Sequence, residues 1–313
     1  VMRALFTEVP RLAGVINIFI GERTTSCWSS EAMAKTCPRC SKRSQGEVLA
    51  DDLNAFMEGI REASATAKLI AWPYGGASAT GVTSFFPYLH KDVVWMGSYD
   101  YGAVKMVHGR PVKVNEYSLS AIEPAPLFSK VAGEVTGSGR RAFAKLQMGN
   151  VHELATVPYI PVPGIVWDKM AAMRGAGVTG SMVSWITGGH ASPLLWMAGE
   201  ASFAPVRPRG EALLRAAALQ HGPRDAAGVV AAWEQFGKAF QLYLCSTAVF
   251  LYGPITRCPS YQLHLEKEAQ LALPYNWGLS RGRVPQPYED GVARWTGEFT
   301  AEEMIASFRE IAA

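Results

Sequence analysis

No run of roughly 18 apolar residues is free of charge, so the sequence predicts no membrane-spanning helix and no membrane partner. Excess charge of one sign is also missing: 30 Lys and Arg face 27 Asp and Glu. The densest basic cluster, Arg39, Lys42 and Arg43, is short and has no aromatics among its members. Nucleic acid is therefore not an expected partner, because phosphate binding needs a basic stripe. Cysteines are few and odd in number, five in 313 residues, which excludes a disulfide framework. No G-x-G-x-x-G run follows a strand, and no G-x-x-x-x-G-K-[ST] occurs, so neither a dinucleotide nor a P-loop nucleotide is expected. The 30 Gly and 19 Pro have no period, which excludes a collagen-like chain. The start, Val1-Met2-Arg3-Ala4-Leu5, lacks the charged region, apolar core and cleavage site of a leader. Two readings follow, a cytoplasmic protein or a chain whose natural N-terminus lies upstream; Val before Met favours the second.

What is present is apolar. Hydrophobic residues make up 49% of the chain and the net charge is +3, which excludes disorder. The length allows one large domain or two smaller ones. The β-branched run 15–20 ends at Gly21 and reads as a strand buried on both faces, typical of a parallel sheet. Residues 27–44 read as a loop. Val48, Leu49, Leu53, Phe56, Met57 and Ile60 then repeat at helical spacing across 47–63. Further strands are expected at 68–72, 92–97, 142–147 and 180–185, with a helix over 165–176 before the last. This alternation means βα units and a parallel sheet, and without nucleotide motifs the expected α/β fold is a (β/α)8 TIM-type barrel. Residues 1–200 are assigned to the barrel. Residues 201–313 are assigned to a C-terminal extension, with helices near 211–219 and 226–243 and an irregular tail over 253–297.

Functional residues of such a barrel gather where its strands end. Those ends carry Glu22, Trp72 with Tyr74, Tyr99 with Asp100, His152 with Glu153, and Trp185. A sugar site needs this mixture, carboxylates for acid–base work and aromatic faces for pyranose rings. A carbohydrate is accordingly the expected partner.

The run Ile18-Phe19-Ile20-Gly21-Glu22-Arg23-Thr24-Thr25-Ser26-Cys27-Trp28 resembles the fourth-strand motif of family 20 glycoside hydrolases, the β-hexosaminidases. In that family the strand ends in Gly-Gly-Asp-Glu and a Cys-Trp pair often follows. The resemblance implies that Glu22 is the general acid. The family's Asp, which positions the acetamido group, falls on Gly21, a departure that bears on N-acetylhexosamine specificity. Residues ending at Ala71-Trp72 look like the family's next strand. Ser181-Met182-Val183-Ser184-Trp185 looks like its last, which carries a pocket tryptophan. The cysteine-rich loop is similar to an insertion in barrel endo-β-N-acetylglucosaminidases. Asn115-Glu116-Tyr117-Ser118-Leu119-Ser120, residues 153–161, residues 184–193 and Tyr252-Gly253-Pro254-Ile255 resemble segments of uncharacterised bacterial hexosaminidase-like barrels. If Glu22 closes strand four, the chain carries strands four to eight of a partial barrel, and the remainder precedes Val1.

Each candidate has a structural alternative. Glu22 is a general acid or an ion-pair partner of Arg23. Asp100 is a catalytic or sugar-binding carboxylate or the first residue of a turn before Tyr101-Gly102. Glu116 is a rim carboxylate or a surface strand residue. Glu153, before the Pro158–Pro163 loop, is the second carboxylate or a hydroxyl binder. The preferred catalytic pair is Glu22 with Glu153, with Asp100 in reserve. Trp72, Tyr99, Glu116, His152, Tyr159, Trp185 and His190 are the expected substrate-binding residues, with Trp72 and Trp185 as stacking platforms. Cys37-Pro38-Arg39-Cys40 with Cys27 allows three readings: a zinc site short of its fourth ligand, a loop disulfide, or free thiols. No metal ligand is assigned and no cofactor is expected. The expected activity is glycoside hydrolysis. Its rivals are a non-catalytic carbohydrate-binding barrel and a metal-dependent hydrolase, which would need a His and Asp cluster on strand ends.

Overall fold

Runs of β-branched and large apolar residues extend into strands wherever flanking Gly, Pro or polar residues stop them. The computed structural model describes residues 1–21, 23–74, 79–114, 117–149, 153, 159–184, 192–244 and 299–313. The chain opens with α1 (Met2–Glu8) and β1 (Gly14–Ile20). A 3-10 turn (Cys27–Ser29) and α2 (Glu31–Thr36) occupy the expected loop, and α3 (Gln45–Arg61) and β2 (Lys68–Pro73) follow. After a second 3-10 turn (Phe86–Tyr88) come β3 (Val94–Ser98), the pair β4 (Val104–Val107) and β5 (Arg110–Lys113), and α4 (Pro126–Gly137). The remaining elements are β6 (Ala142–Lys145), α5 (Pro163–Gly175), β7 (Gly180–Met182), α6 (Pro193–Glu200), α7 (Arg209–His221), α8 (Ala226–Gln241) and α9 (Ala301–Ala312).

Five strands form one sheet in the order β1-β2-β3-β6-β7, and every pairing is parallel. The α/β class and the parallel sheet are thus present. Among the described residues the order never doubles back, so these five strands form no topological switch point of the dinucleotide-binding kind. The central strand β3 is buried at all five positions, whereas β1 on the outside leaves Ile16 half in solvent. Register sets the level of the strand ends: Ile70 pairs with Val94, Trp95 with Ala142, and Lys145 with both Ser98 and Met182.

The chain divides into two compact units. The first comprises Val1–Tyr101, Pro124–Lys145 and Met173–Met182; the second comprises Gly102–Glu123, Leu146–Ala172 and Val183–Ala313. The first unit contains the whole parallel sheet. Its core is aromatic: Phe128 of α4 lies 5.6 Å from the Trp95 ring and 5.3 Å from the Tyr99 ring, and Phe19 meets Phe85 edge-on at 5.0 Å. α3 starts at a capping box, in which Ser44 accepts from the Glu47 N–H while the Glu47 carboxylate accepts from the Ser44 N–H. Its far end is held by Arg61, which donates to Ser64 O, Ala67 O and the Asp92 carboxylate. That pairing explains why β3 starts at Val94 rather than at residue 92. Asp92 belongs to a turn in which its N–H meets His90 Nδ1 and the Val93 N–H meets His90 O.

In the second unit β4 and β5 form a hairpin closed by His108 and Gly109, both at positive φ, as the primed two-residue turn requires. α7 and α8 pack against each other, and Leu213, Ala216 and Ala217 of α7 and Trp233 and Phe240 of α8 are buried. Arg209 sits between Asp168 and Glu234, at 2.8 and 2.7 Å. No helix among the described residues is long and apolar enough to cross a membrane.

Candidate functional site

A parallel sheet puts all its strand C-termini on one edge, and in the first unit that edge carries polar and aromatic residues. Asp100 lies two residues past β3 and Lys145 ends β6; both are fully buried. They stand at the same level, since Ser98 pairs with Lys145 and the Tyr99 N–H donates to Lys145 O at 3.0 Å. A carboxylate and an ammonium each lose hydration on burial, so fully buried charges of this kind are costly unless compensated and mark positions worth testing for function. Trp72, on β2, is completely enclosed and meets Tyr74 edge-on at 5.0 Å. Tyr74 at that strand end is half-buried and so keeps some exposed surface. Tyr99 is likewise enclosed, against Phe128. A Cβ placed on Gly21 would come within 2.7 Å of Ile18 Cγ2, so the strand end before position 22 is too tight for a side chain without local rearrangement.

The second unit contains a different carboxylate arrangement. Glu153 is 1% exposed. Its Oε1 accepts from Ser118 Oγ at 2.7 Å and Ser120 Oγ at 2.5 Å. Its Oε2 accepts from the Leu119 N–H at 2.6 Å and the Ser120 N–H at 3.0 Å. Lys105 Nζ donates to Ser120 Oγ at 2.9 Å, and Lys169 Nζ to Ser118 O at 2.6 Å. Burial pushes the Glu153 carboxyl upward. The Lys105 charge, the two hydroxyls and the Ser120 N–H together outweigh it and hold the group below the ordinary glutamate value. Glu153 is thus a fixed anion in a cradle of serine hydroxyls and consecutive backbone N–H groups. Tyr117, which leads into this cradle, has φ of 69°, a left-handed conformation that is rare for a bulky residue.

A third cluster lies between β1 and α3. The sulfurs of Cys27, Cys37 and Cys40 all lie within 4.8 Å of one another, and all three thiols are free and half-buried. The Cys40 and Arg39 N–H groups donate to Cys37 Sγ and draw that thiol down to about 7. Hydrogen bonds to Cys37 and Cys40 push the Cys27 thiol up to about 11. Among the described residues this is the one group of three or more side chains spaced to hold a metal ion. Three thiols in this arrangement suit a soft cation, while His152 and His190, the candidates for a His and Asp cluster, lie outside the described residues.

Of the expected site residues, Glu22, Glu116, His152, Trp185 and His190 lie outside the described residues. Asp100, Trp72 and Tyr99 fall in the first unit, Glu153 and Tyr159 in the second. Burial raises the Tyr159 hydroxyl, with the Trp233 indole N–H acting in the opposite sense. Sequence reasoning missed Lys145, Lys105 and Lys169. The available signal was a lysine inside an otherwise apolar run, as in Phe143-Ala144-Lys145-Leu146. The one G-x-G-x-x-G spacing, Gly175 to Gly180, runs from the end of α5 into β7, the reverse of the strand-to-helix context that a dinucleotide needs. Comparison with known proteins gives no match to a family model, a curated protein or a solved structure.

Proposed function

We propose that the parallel sheet is a run of consecutive strands of a (β/α)8-type barrel and that the protein is a glycoside hydrolase. The observation that carries this reading is the strictly sequential order of five parallel strands, with Asp100 and Lys145 buried where β3 and β6 end. Right-handed crossovers between sequential parallel strands put the connecting helices on one face, and the strand ends then supply the site. In this reading Glu22 protonates the leaving oxygen. Asp100 is the second carboxylate, which stabilises the oxocarbenium-like transition state or activates water. Glu153, with both oxygens saturated, organises the 118–120 segment instead of reacting. Tyr74 offers the sugar its aromatic face.

Gly21, where the resembled family has its Asp, favours one second reading, a barrel that binds carbohydrate without cleaving it. A panel of aryl glycosides and oligosaccharides, offered to the 313-residue chain and to Glu22→Gln, separates the two. Hydrolysis requires turnover by the parent chain and a fall of at least about 100-fold in the variant, the scale of lost general acid catalysis. Calorimetric binding of a sugar with no product released would establish the binding barrel. Turnover undiminished in Glu22→Gln would remove Glu22 from the mechanism.

A further inference from the structure

The segment between β1 and α3 has almost no core of its own. Among its described residues from 21 to 44, Ala34 is the one buried side chain. Apolar burial therefore contributes little to holding it, and so small an element usually needs a covalent or metal staple. The segment is nonetheless built with care. Ser26 and Ser30 cap the 3-10 turn and α2, and Thr25 Oγ1 donates to Phe19 O at 2.5 Å, which ties the segment to β1. Cys27 opens the 3-10 turn, Cys37 closes α2, and Cys40 follows in the turn Cys37-Pro38-Arg39-Cys40. That turn is pinned by the Ser41 N–H on Cys37 O and the Arg43 N–H on Cys40 O, each at 3.0 Å.

We propose that Cys27, Cys37 and Cys40 bind one zinc-class divalent cation that clips this segment together, with water or an exogenous ligand in the fourth position. Two observations carry the proposal. The three sulfurs converge within 4.8 Å, and a tetrahedral zinc with bonds of about 2.3 Å holds its sulfurs about 3.8 Å apart, so small side-chain rotations complete the site. Independently, the segment that carries them buries no side chain but Ala34 among its described residues, so apolar packing does not hold the three cysteines together. A disulfide would join two sulfurs and leave the convergence of the third without a purpose. A redox Cys-x-x-Cys would open a helix, whereas Cys37 closes one. Thiolates select zinc over magnesium or calcium, and the thiol protons leave to solvent as the cation binds. The carboxylate nearest in sequence, Glu31, is engaged by Lys35 at 2.7 Å. The proposal does not depend on the glycosidic reading.

The 313-residue chain, purified without chelator and dialysed against zinc chloride, should retain about one zinc per chain by elemental analysis. In the Cys37→Ser/Cys40→Ser double variant retention should fall below about a tenth of an equivalent. Cobalt(II) titrated into metal-stripped parent protein should give a near-ultraviolet thiolate charge-transfer band together with intense visible tetrahedral bands. Cys27→His, which exchanges one ligand for another, should keep the tetrahedral bands and lose part of the charge transfer. The cobalt spectrum of the parent protein decides the matter even if the double variant fails to fold. No charge-transfer band would overturn the proposal, as would a Cys37–Cys40 disulfide found by non-reducing peptide mapping.

Discussion

Ser120 grips Glu153 twice, through its N–H on Oε2 at 3.0 Å and its hydroxyl on Oε1 at 2.5 Å. One residue thus engages both carboxylate oxygens, and Ser118 and Leu119 fill the remaining acceptor positions. Lys105, bonded to the same Ser120 hydroxyl, supplies the compensating charge. Gln241 Nε2 donates to Ser120 O at 2.9 Å and so links α8 to this loop. The cluster therefore connects the loop, Lys105 of β4 and α8 within the second unit through a buried anion.

Removing that anion takes the acceptor from the Ser118 and Ser120 hydroxyls and from the Leu119 and Ser120 N–H groups, and takes the negative charge from beside Lys105. Glu153→Ala should cost about 3–5 kcal/mol, the usual penalty for breaking a buried charge pair by one side. Urea unfolding of the parent and variant chains measures it. A loss under about 1 kcal/mol would mean that water or a neighbouring side chain replaces the carboxylate.

The same group predicts a pH dependence. Its folded-state carboxyl is held below the ordinary value of 4.5, so the unfolded chain takes up a proton first as pH falls. The stability that Glu153 contributes is complete above that ordinary value and is lost as pH drops through the lower folded-state value. The urea midpoint of the parent chain should fall between neutral and acidic pH more steeply than that of Glu153→Gln. Parallel slopes would show that Glu153 is not the group being titrated.

Gly46 tests the packing of α3. A Cβ there would lie 2.1 Å from Ser84 O and 2.6 Å from Ser84 C, both backbone atoms that no rotamer change can move aside. Alanine gains up to about 1 kcal/mol in helix propensity, but an overpacking cost of about 1–3 kcal/mol opposes it. Gly46→Ala should therefore be destabilised on balance, with a lower thermal midpoint. A raised midpoint would mean that the 79–89 segment yields freely.

Arg61 and Asp92 form a pair with unequal stakes. Asp92 is held below the ordinary aspartate range chiefly by its hydrogen bond from Arg61. It is partly exposed, so Asp92→Asn should cost only about 0–1 kcal/mol. Arg61 also donates to Ser64 O and Ala67 O, which close the turn between α3 and β2. Arg61→Ala should cost about 1.5–3 kcal/mol, measured by urea unfolding beside Asp92→Asn. Equal costs would mean that the backbone bonds carry nothing.

How much of this was legible in the sequence follows the range of the interactions. The strands at 15–20 and 68–72 and the helix read over 47–63 are visible because apolar runs and helical spacing act over a few residues, while the Ser44–Glu47 box that starts the helix at Gln45 went unread. α4 was hidden: Gly133, Gly137 and its β-branched residues weaken a helical pattern that Pro126 at its first turn would otherwise announce. The β4–β5 hairpin rests on His108 taking a positive φ, which few non-glycine residues do. The role of Glu153 could not be read at all, because Ser118 and Ser120 reach it from 35 and 33 residues away. The convergence of Cys27 on Cys37 and Cys40 was half legible, since Cys-x-x-Cys is local while Cys27 depends on the intervening α2.

Asp100 provides the sharpest test of the strand-end site. Its neighbours Tyr101 and Gly102 form a turn, with Gly102 at φ of 84°, and an aspartate before such a turn can be there for local geometry alone. Asparagine suits such a turn position as well as aspartate does. If Asp100 only shapes the turn, Asp100→Asn should leave both the urea midpoint and glycoside turnover unchanged. If Asp100 is the second carboxylate, its charge is the working element. The variant should then keep its circular dichroism and lose kcat by about 100- to 10,000-fold, the scale of positioned acid–base groups. The two outcomes differ in kcat while sharing a folded chain, so the substitution separates a turn residue from a catalytic one without relying on a loss of stability.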